Sequence, residues 1–163
     1  MATEKLKFKL ELYATMWDKP PHAEIIVDGK TYFDGDITST EDKPTLIEFE
    51  VEVEEDKKCD LIINRSGKGV NQTVVNDKGD LLKDQLLHIK RIEIDEIDLG
   101  SLVFTGVYTP EYPEPWATQQ AESGKELREA FTNVTQMGHN GEWKFTFTTP
   151  FYMWLLELSL IHI

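Results

Sequence analysis

In KLKFKLELY, residues 5–13, apolar and charged side chains alternate without a break: Leu6, Phe8, Leu10 and Leu12 fall on one parity, and Lys5, Lys7, Lys9 and Glu11 on the other. Side chains of an extended chain point to opposite faces in turn, so this period of two predicts a strand with one face in the core and one in water. The pattern returns in IEFEVEVEE, residues 47–55, with Phe49, Val51 and Val53 inward and Glu48, Glu50 and Glu52 outward. Between them, AEIIVDGKTYF sets Asp28-Gly29 between two β-rich runs. Both residues tolerate positive φ, as a two-residue type I′ turn demands, so a hairpin is expected there. Further strands are expected at CDLIIN, NQTVV, LLHIKRIEI, SLVFTGVY and EWKFTFTT.

LLHIKRIEI, residues 86–94, breaks the simple rule. Leu87 and Ile89 share one parity whereas Ile92 and Ile94 share the other. A regular strand cannot bury both pairs on one face, so the sequence predicts a β-bulge near Lys90-Arg91 or burial on both sides. Short strands, frequent turn signals and the lack of a strong amphipathic helix between them predict an all-β chain. Its expected form is one antiparallel β-sandwich domain of jelly-roll type over residues 1–163. At most one short helix is expected, in SGKELREAF, where Leu127 and Phe131 are four apart within the long irregular segment from Thr109 to Gly141. PFYMWLLEL is apolar nearly all round. It is expected to be the last buried strand, or else to show Phe151, Trp154 and Leu155 to a neighbouring subunit.

Lys and Arg total 17 against 30 Asp and Glu, a net charge of −13. Nucleic-acid phosphates and anionic membrane surfaces select for a Lys/Arg stripe that releases counterions, so neither is expected as a partner. The single Cys59 excludes an intrachain disulfide and a cysteine metal cage, and its position in KKCDLIINR predicts a buried structural thiol. MATEKLKFKLEL lacks the apolar core of a signal peptide and no run has the length of a membrane span, so folding in the cytosol is the expectation. The sequons at Asn71 and Asn133 then read as chance.

Two groups of residues are candidates for a binding site. In NDKGDLLKD the side chains of Asn76, Asp77, Asp80 and Asp84 all offer oxygen, which suits Ca²⁺ with its six to eight oxygen ligands. The spacing is not that of an EF-hand, and the simpler alternative is a solvated turn capped by Asn and Asp around Gly79. The second group is aromatic: Trp17 in ATMWDKPPH, and Tyr112 and Trp116 in VYTPEYPEPWATQQ. Proline stiffens both loops, so a ring there is a preformed platform for the C–H face of a sugar or for a partner protein. The alternative is that these rings fold back over a sheet end. His22, His88 and His139 lack zinc-ligand spacing and read as turn or surface residues. No nucleophile elbow, P-loop, dinucleotide fingerprint or Cys-His signature is present, so binding rather than catalysis is expected.

The order of a VDGK strand pair, an Asn-Asp turn, and an Asp-x-x-Leu stretch leading into a strand that ends IEIDEI resembles calcium-dependent, xylan-binding carbohydrate-binding modules over about residues 23 to 100. The resemblance implies a β-sandwich that holds Ca²⁺ beside a glycan. The family's Asn-Asp turn falls on Asn76 and Asp77, and the Asp of its Asp-Arg-Asn-Leu motif falls on Asp84, while Gln85 and Leu86 stand where that motif has Arg and Asn. WDKPPH, FDGDI, KDQLLHIK, IDEIDLG, VYTPEYPEPWATQQ, NVTQMGHNG and PFYMWLLE resemble uncharacterised proteins of tailed marine phages, especially cyanophages. That likeness implies synthesis in the host cytoplasm, a virion or accessory role, and other virion proteins as partners. The ending LSLIHI resembles the translated edge of a sequencing adapter, which implies that residues 159–163 are not natural protein. Two functions follow: a non-catalytic, calcium-assisted glycan-binding module, and a phage protein that contacts other chains and takes no small ligand.

Overall fold

The alternating stretch at residues 5–13 lies within a long first strand, β1 (Thr3–Thr15), around which one sheet is organised. The structure is a computed structural model that describes residues 2–68, 74–78 and 81–161. Strands follow at His22–Val27 (β2), Lys30–Asp36 (β3), Thr45–Glu54 (β4), Lys58–Ser66 (β5), Val74–Val75 (β6) and Leu81–Lys83 (β7). After these come Leu86–Ile94 (β8), Ile97–Asp98 (β9), Val107–Pro110 (β10), Gln136–Met137 (β11) and Gly141–Thr148 (β12). Two α-helices, Trp116–Glu122 (α1) and Phe151–Ile161 (α2), and a 3₁₀ turn at Gly100–Thr105 complete the described elements.

One five-stranded sheet runs β11-β8-β1-β4 with β9 beside β8, a second runs β10-β12-β5-β2-β3, and every pairing is antiparallel. The β1–β4 register sets Phe8 opposite Phe49 and Leu10 opposite Ile47 on the inner face, and Lys5, Lys7 and Lys9 opposite Glu52, Glu50 and Glu48 on the outer. The lysines of one strand and the glutamates of the other are therefore directly facing neighbours, an arrangement that fixes register as well as solubility. The sheets meet through aromatic rings: Phe8 lies 6.3 Å from Phe147, and Phe49 lies 4.8 Å from Tyr32. The all-β sandwich expected from the sequence is thus the observed architecture.

The parity break in β8 is resolved by a bulge. Glu11 pairs with Arg91 and Leu12 with Ile89, so Lys90 is the extra residue, and Leu87, Ile89, Ile92 and Ile94 are all buried. At the β2–β3 connection Asp28 and Gly29 adopt φ of 51° and 81°, as the expected hairpin requires. Cys59 is buried.

Helices are where sequence and structure part. α2 replaces the expected last strand, and two α-helices stand where at most one was expected. A continuous apolar run has no period to tell strand from helix. Once it is helical, Phe151, Trp154 and Leu155, spaced i, i+3, i+4, pack on the core, and Tyr152, Met153 and Leu156 are the exposed residues instead. The helix expected over residues 123–131 lies one step earlier, in α1. Gly124, at φ +85°, follows the last turn, with its N–H donating to the Ala121 carbonyl, and so ends that helix rather than opening another. SLVFTGVY divides into the 3₁₀ turn and β10. Of NQTVV only Val74 and Val75 fall among the described residues. No helix of the described residues is long and apolar enough to cross a membrane.

Phe147 links β1 to α2, with ring centroids 6.3 Å from Phe8 and 5.4 Å from Phe151. Phe147→Ala is expected to lower the unfolding free energy by about 3–5 kcal/mol, because it deletes a buried ring and leaves a cavity. Leu46→Ala, on an exposed position of β4, is expected to change it by less than about 0.5 kcal/mol. Urea unfolding of the two variants checks both values.

Candidate functional site

The alternation of Cys59, Leu61 and Ile63 continues to Arg65, so β5 buries an arginine at its end, 1 % exposed. Its guanidinium donates from one terminal nitrogen to Asn140 Oδ1 at 2.9 Å and from the other to the Gln85 carbonyl at 2.6 Å. Gln85 precedes β8 of one sheet while Arg65 belongs to the other, so the bond to its carbonyl ties the two sheets at the end where β1 finishes. Burial pushes the guanidinium below its usual range, partly offset by the nearby Tyr108 and Asp84.

Around Arg65 the loops close over a polar cluster. Gln85 is fully buried, and its Nε2 donates to the Lys19 carbonyl at 2.9 Å, fastening the Trp17–Pro21 loop. Asp84 Oδ1 accepts from the Gln85 N–H at 2.8 Å and from the Lys68 ammonium at 2.9 Å. The same ammonium donates to the Gly138 carbonyl at 2.5 Å. Asn140 clamps the backbone of Lys68 from both sides: Oδ1 accepts its N–H at 3.0 Å and Nδ2 donates to its carbonyl at 2.9 Å. Gly67, at φ +87°, makes the turn that delivers Lys68, and a Cβ there would come within 3.3 Å of the His22 backbone nitrogen. Arg65 Nε, Gln85 Oε1 and His139 Nδ1 are buried without a hydrogen-bond partner among the described residues. Such groups are costly unless something else satisfies them.

The aromatic candidates flank this cluster. On one side the Tyr112 and Trp116 rings are 6.0 Å apart, and they lie 5.2 and 5.5 Å from the ring of His139. Burial first, and then the Lys68 charge, lower the His139 pKa below its ordinary range. Tyr108, pushed up to about 12 by burial, fixes this loop by donating to the His139 carbonyl at 2.5 Å and accepting its N–H at 2.9 Å. On the other side the Trp17 ring carries the Lys83 ammonium 3.4 Å from its centroid, a cation–π contact. Trp17 and Asp84 share a groove of ≈ 430 Å³ with Thr15, Met16, Leu82, Lys83 and Leu86.

Of the four residues expected to hold calcium, three fall among the described residues. Asn76 Oδ1 accepts the Lys78 N–H at 2.9 Å and so serves its own turn. Asp77 is exposed, and Asp80 lies outside the described residues. Asp84 is held by the Lys68 ammonium. Among the described residues no group of three or more His, Cys, Asp or Glu side chains is placed to hold a metal ion.

Sequence reasoning passed over Lys68, Arg65 and Asn140, took Gln85 only as a departure from a motif, and assigned His139 to a turn or surface role. Arg65 alone had a visible signal, since it shares the parity of Cys59, Leu61 and Ile63. The others come from distant loops, and only the tertiary fold brings them together.

No family model matches the chain, and no curated protein matches it. Among solved structures, the chain is similar to vCBM60, described under two families of calcium-dependent carbohydrate binding modules, at 8 % identity and a TM-score of 0.49, covering 86 % of this chain and 89 % of that one. It is similar also to vCBM60 in complex with galactobiose, at 9 % identity and a TM-score of 0.48, covering 85 % of this chain and 96 % of that one.

At the same end, His22 at the start of β2 bonds Asp36 through Nδ1 at 2.8 Å and Asp34 through Nε2. These bonds, Asp36 first, raise its pKa above the ordinary 6.5. Stabilisation from a raised histidine is fully present below the unfolded value and is lost as pH rises through the folded one. The Tm difference between wild type and His22→Gln is therefore expected to be largest below pH 6.5 and to shrink toward alkaline pH. Thermal melts across that range check the sign, and a difference that grows with pH would contradict it.

Proposed function

We propose that this end of the sandwich is a non-catalytic glycan-binding site, with Trp17 and Asp84 at its centre. The observation that supports this most is the groove the two share, whose ≈ 430 Å³ falls within the range of small-molecule sites. Met16 and Leu82 are exposed there and suit the apolar face of a sugar ring, as does the indole where Lys83 does not cover it. Thr15, Lys83 and Asp84 offer hydroxyl, ammonium and carboxylate groups for its hydroxyls. Tyr112 and Trp116 form a second platform beyond Asp84, reached through the Lys68 bond to Gly138 and the adjoining His139. Glycoside hydrolysis ordinarily takes two carboxyl groups flanking the bond. Among the described residues the groove is lined by one, Asp84, and it is already paired with Lys68.

Protein contact, in a particle of the phage kind that the sequence resembles, is the alternative. It is favoured by α2, where Tyr152, Met153 and Leu156 are 60, 53 and 45 % exposed on a helix with one charged residue, Glu157.

An array of plant, algal and bacterial glycans distinguishes the two. The expected result is binding to a defined set of glycans that Trp17→Ala weakens by about tenfold or more, or roughly 1.4 kcal/mol. Binding to no glycan, together with a concentration-dependent oligomer in light scattering, would sink the glycan site and favour α2.

A further inference from the structure

We infer that the Lys68 ammonium is the resident cation of this site, taking the place beside Asp84 that a calcium ion would need, so that the site works without metal. The proposal concerns the cation seat, and its extension to ligand binding rests on the glycan reading above.

The seat is built from both sides. Asp84 supplies carboxylate oxygen at 2.9 Å and Gly138 a carbonyl oxygen at 2.5 Å, the donor types a hard cation selects, and what they hold is Nζ of Lys68. Both side chains are largely buried, at 11 % exposure for Lys68 and 15 % for Asp84, so the ion pair is shielded from the solvent that weakens surface pairs. Lys68 does not reach this seat by chance rotation. Its backbone is clamped by Asn140, Asn140 is bonded to the buried Arg65, and the left-handed Gly67 aims the chain. A tethered ammonium competes with a free ion at an effective concentration that millimolar calcium does not exceed by much.

A divalent ion seated on Asp84 would first have to expel a cation that is covalently attached and already hydrogen-bonded. If it displaced Lys68, the ammonium would lose Asp84 and Gly138 together. If Lys68 stayed, two cations would have to share one carboxylate. Gln85 and Leu86 fit this arrangement, since Gln85 turns its side chain away from the seat to Lys19 and leaves only its backbone N–H on Asp84.

The test is calcium titration of the full chain, followed by thermal unfolding and by isothermal calorimetry, with magnesium and EDTA as controls. The expected result is no calcium-specific rise in Tm and no calcium heat in wild type. Lys68→Met is expected to lower Tm, and in a double-mutant cycle with Asp84→Asn the two sites should couple by about tenfold in the folding equilibrium constant. A calcium-specific rise in wild-type Tm that Asp84→Asn abolishes would overturn the proposal, and so would a coupling indistinguishable from zero. Wild-type titration needs no variant to fold. Glycan binding that survives EDTA supports the extension to the ligand site, and glycan binding lost in EDTA counts against it, while absence of any glycan binding bears on the glycan site alone and leaves the Tm result intact.

Discussion

The buried guanidinium of Arg65 is the constraint on which the functional end depends. A charge this deeply buried needs partners for its donors, and here the two terminal nitrogens have them, one in a loop carbonyl of the opposite sheet and one in the side chain of Asn140, while Nε has none among the described residues. Because the bond to the Gln85 carbonyl crosses the sandwich, it sets the spacing of the sheet ends. Because Asn140 also grips Lys68, the same guanidinium positions the ammonium on Asp84. Removing one partner would leave a buried charge exposed to nothing, so the network is held as a unit rather than as separate bonds.

Below that end the rest of the chain is a scaffold of ordinary kind. Alternating residues of β1, β4, β5 and β12 bury one face each, and the rings of Phe8, Phe49, Phe145 and Phe147 fill the space between the sheets. The acidic surplus is spent largely on outer faces, as in the glutamates of β4 against the lysines of β1. Binding groups sit on loops that this rigid frame holds in place.

Much of that frame was legible in the sequence because it is written in local parity. KLKFKLELY and IEFEVEVEE give their strands directly, Asp28-Gly29 gives its hairpin, and the change of parity within LLHIKRIEI gives the bulge that the structure places at Lys90. PFYMWLLEL was illegible for the opposite reason, being apolar at every parity. SGKELREAF misled because its one helical signal, Leu127 and Phe131 four apart, is a single pair that a loop can carry as well as a helix. At the site, Trp17 and Asp84 were both singled out, and they do meet in one groove. The calcium turn was drawn from oxygen donors close in sequence, whereas the cation that reaches Asp84 comes from Lys68, sixteen residues earlier and across an intervening strand pair. Local pattern does not encode such a contact.

The most direct measurement of the central claim, that a lysine occupies the cation seat of this site, is a high-resolution crystal structure grown in millimolar calcium. The predicted result is density for the Lys68 ammonium between the Asp84 carboxylate and the Gly138 carbonyl, with no metal on Asp84. A calcium ion coordinated by Asp84, with Lys68 swung out to solvent, would contradict it.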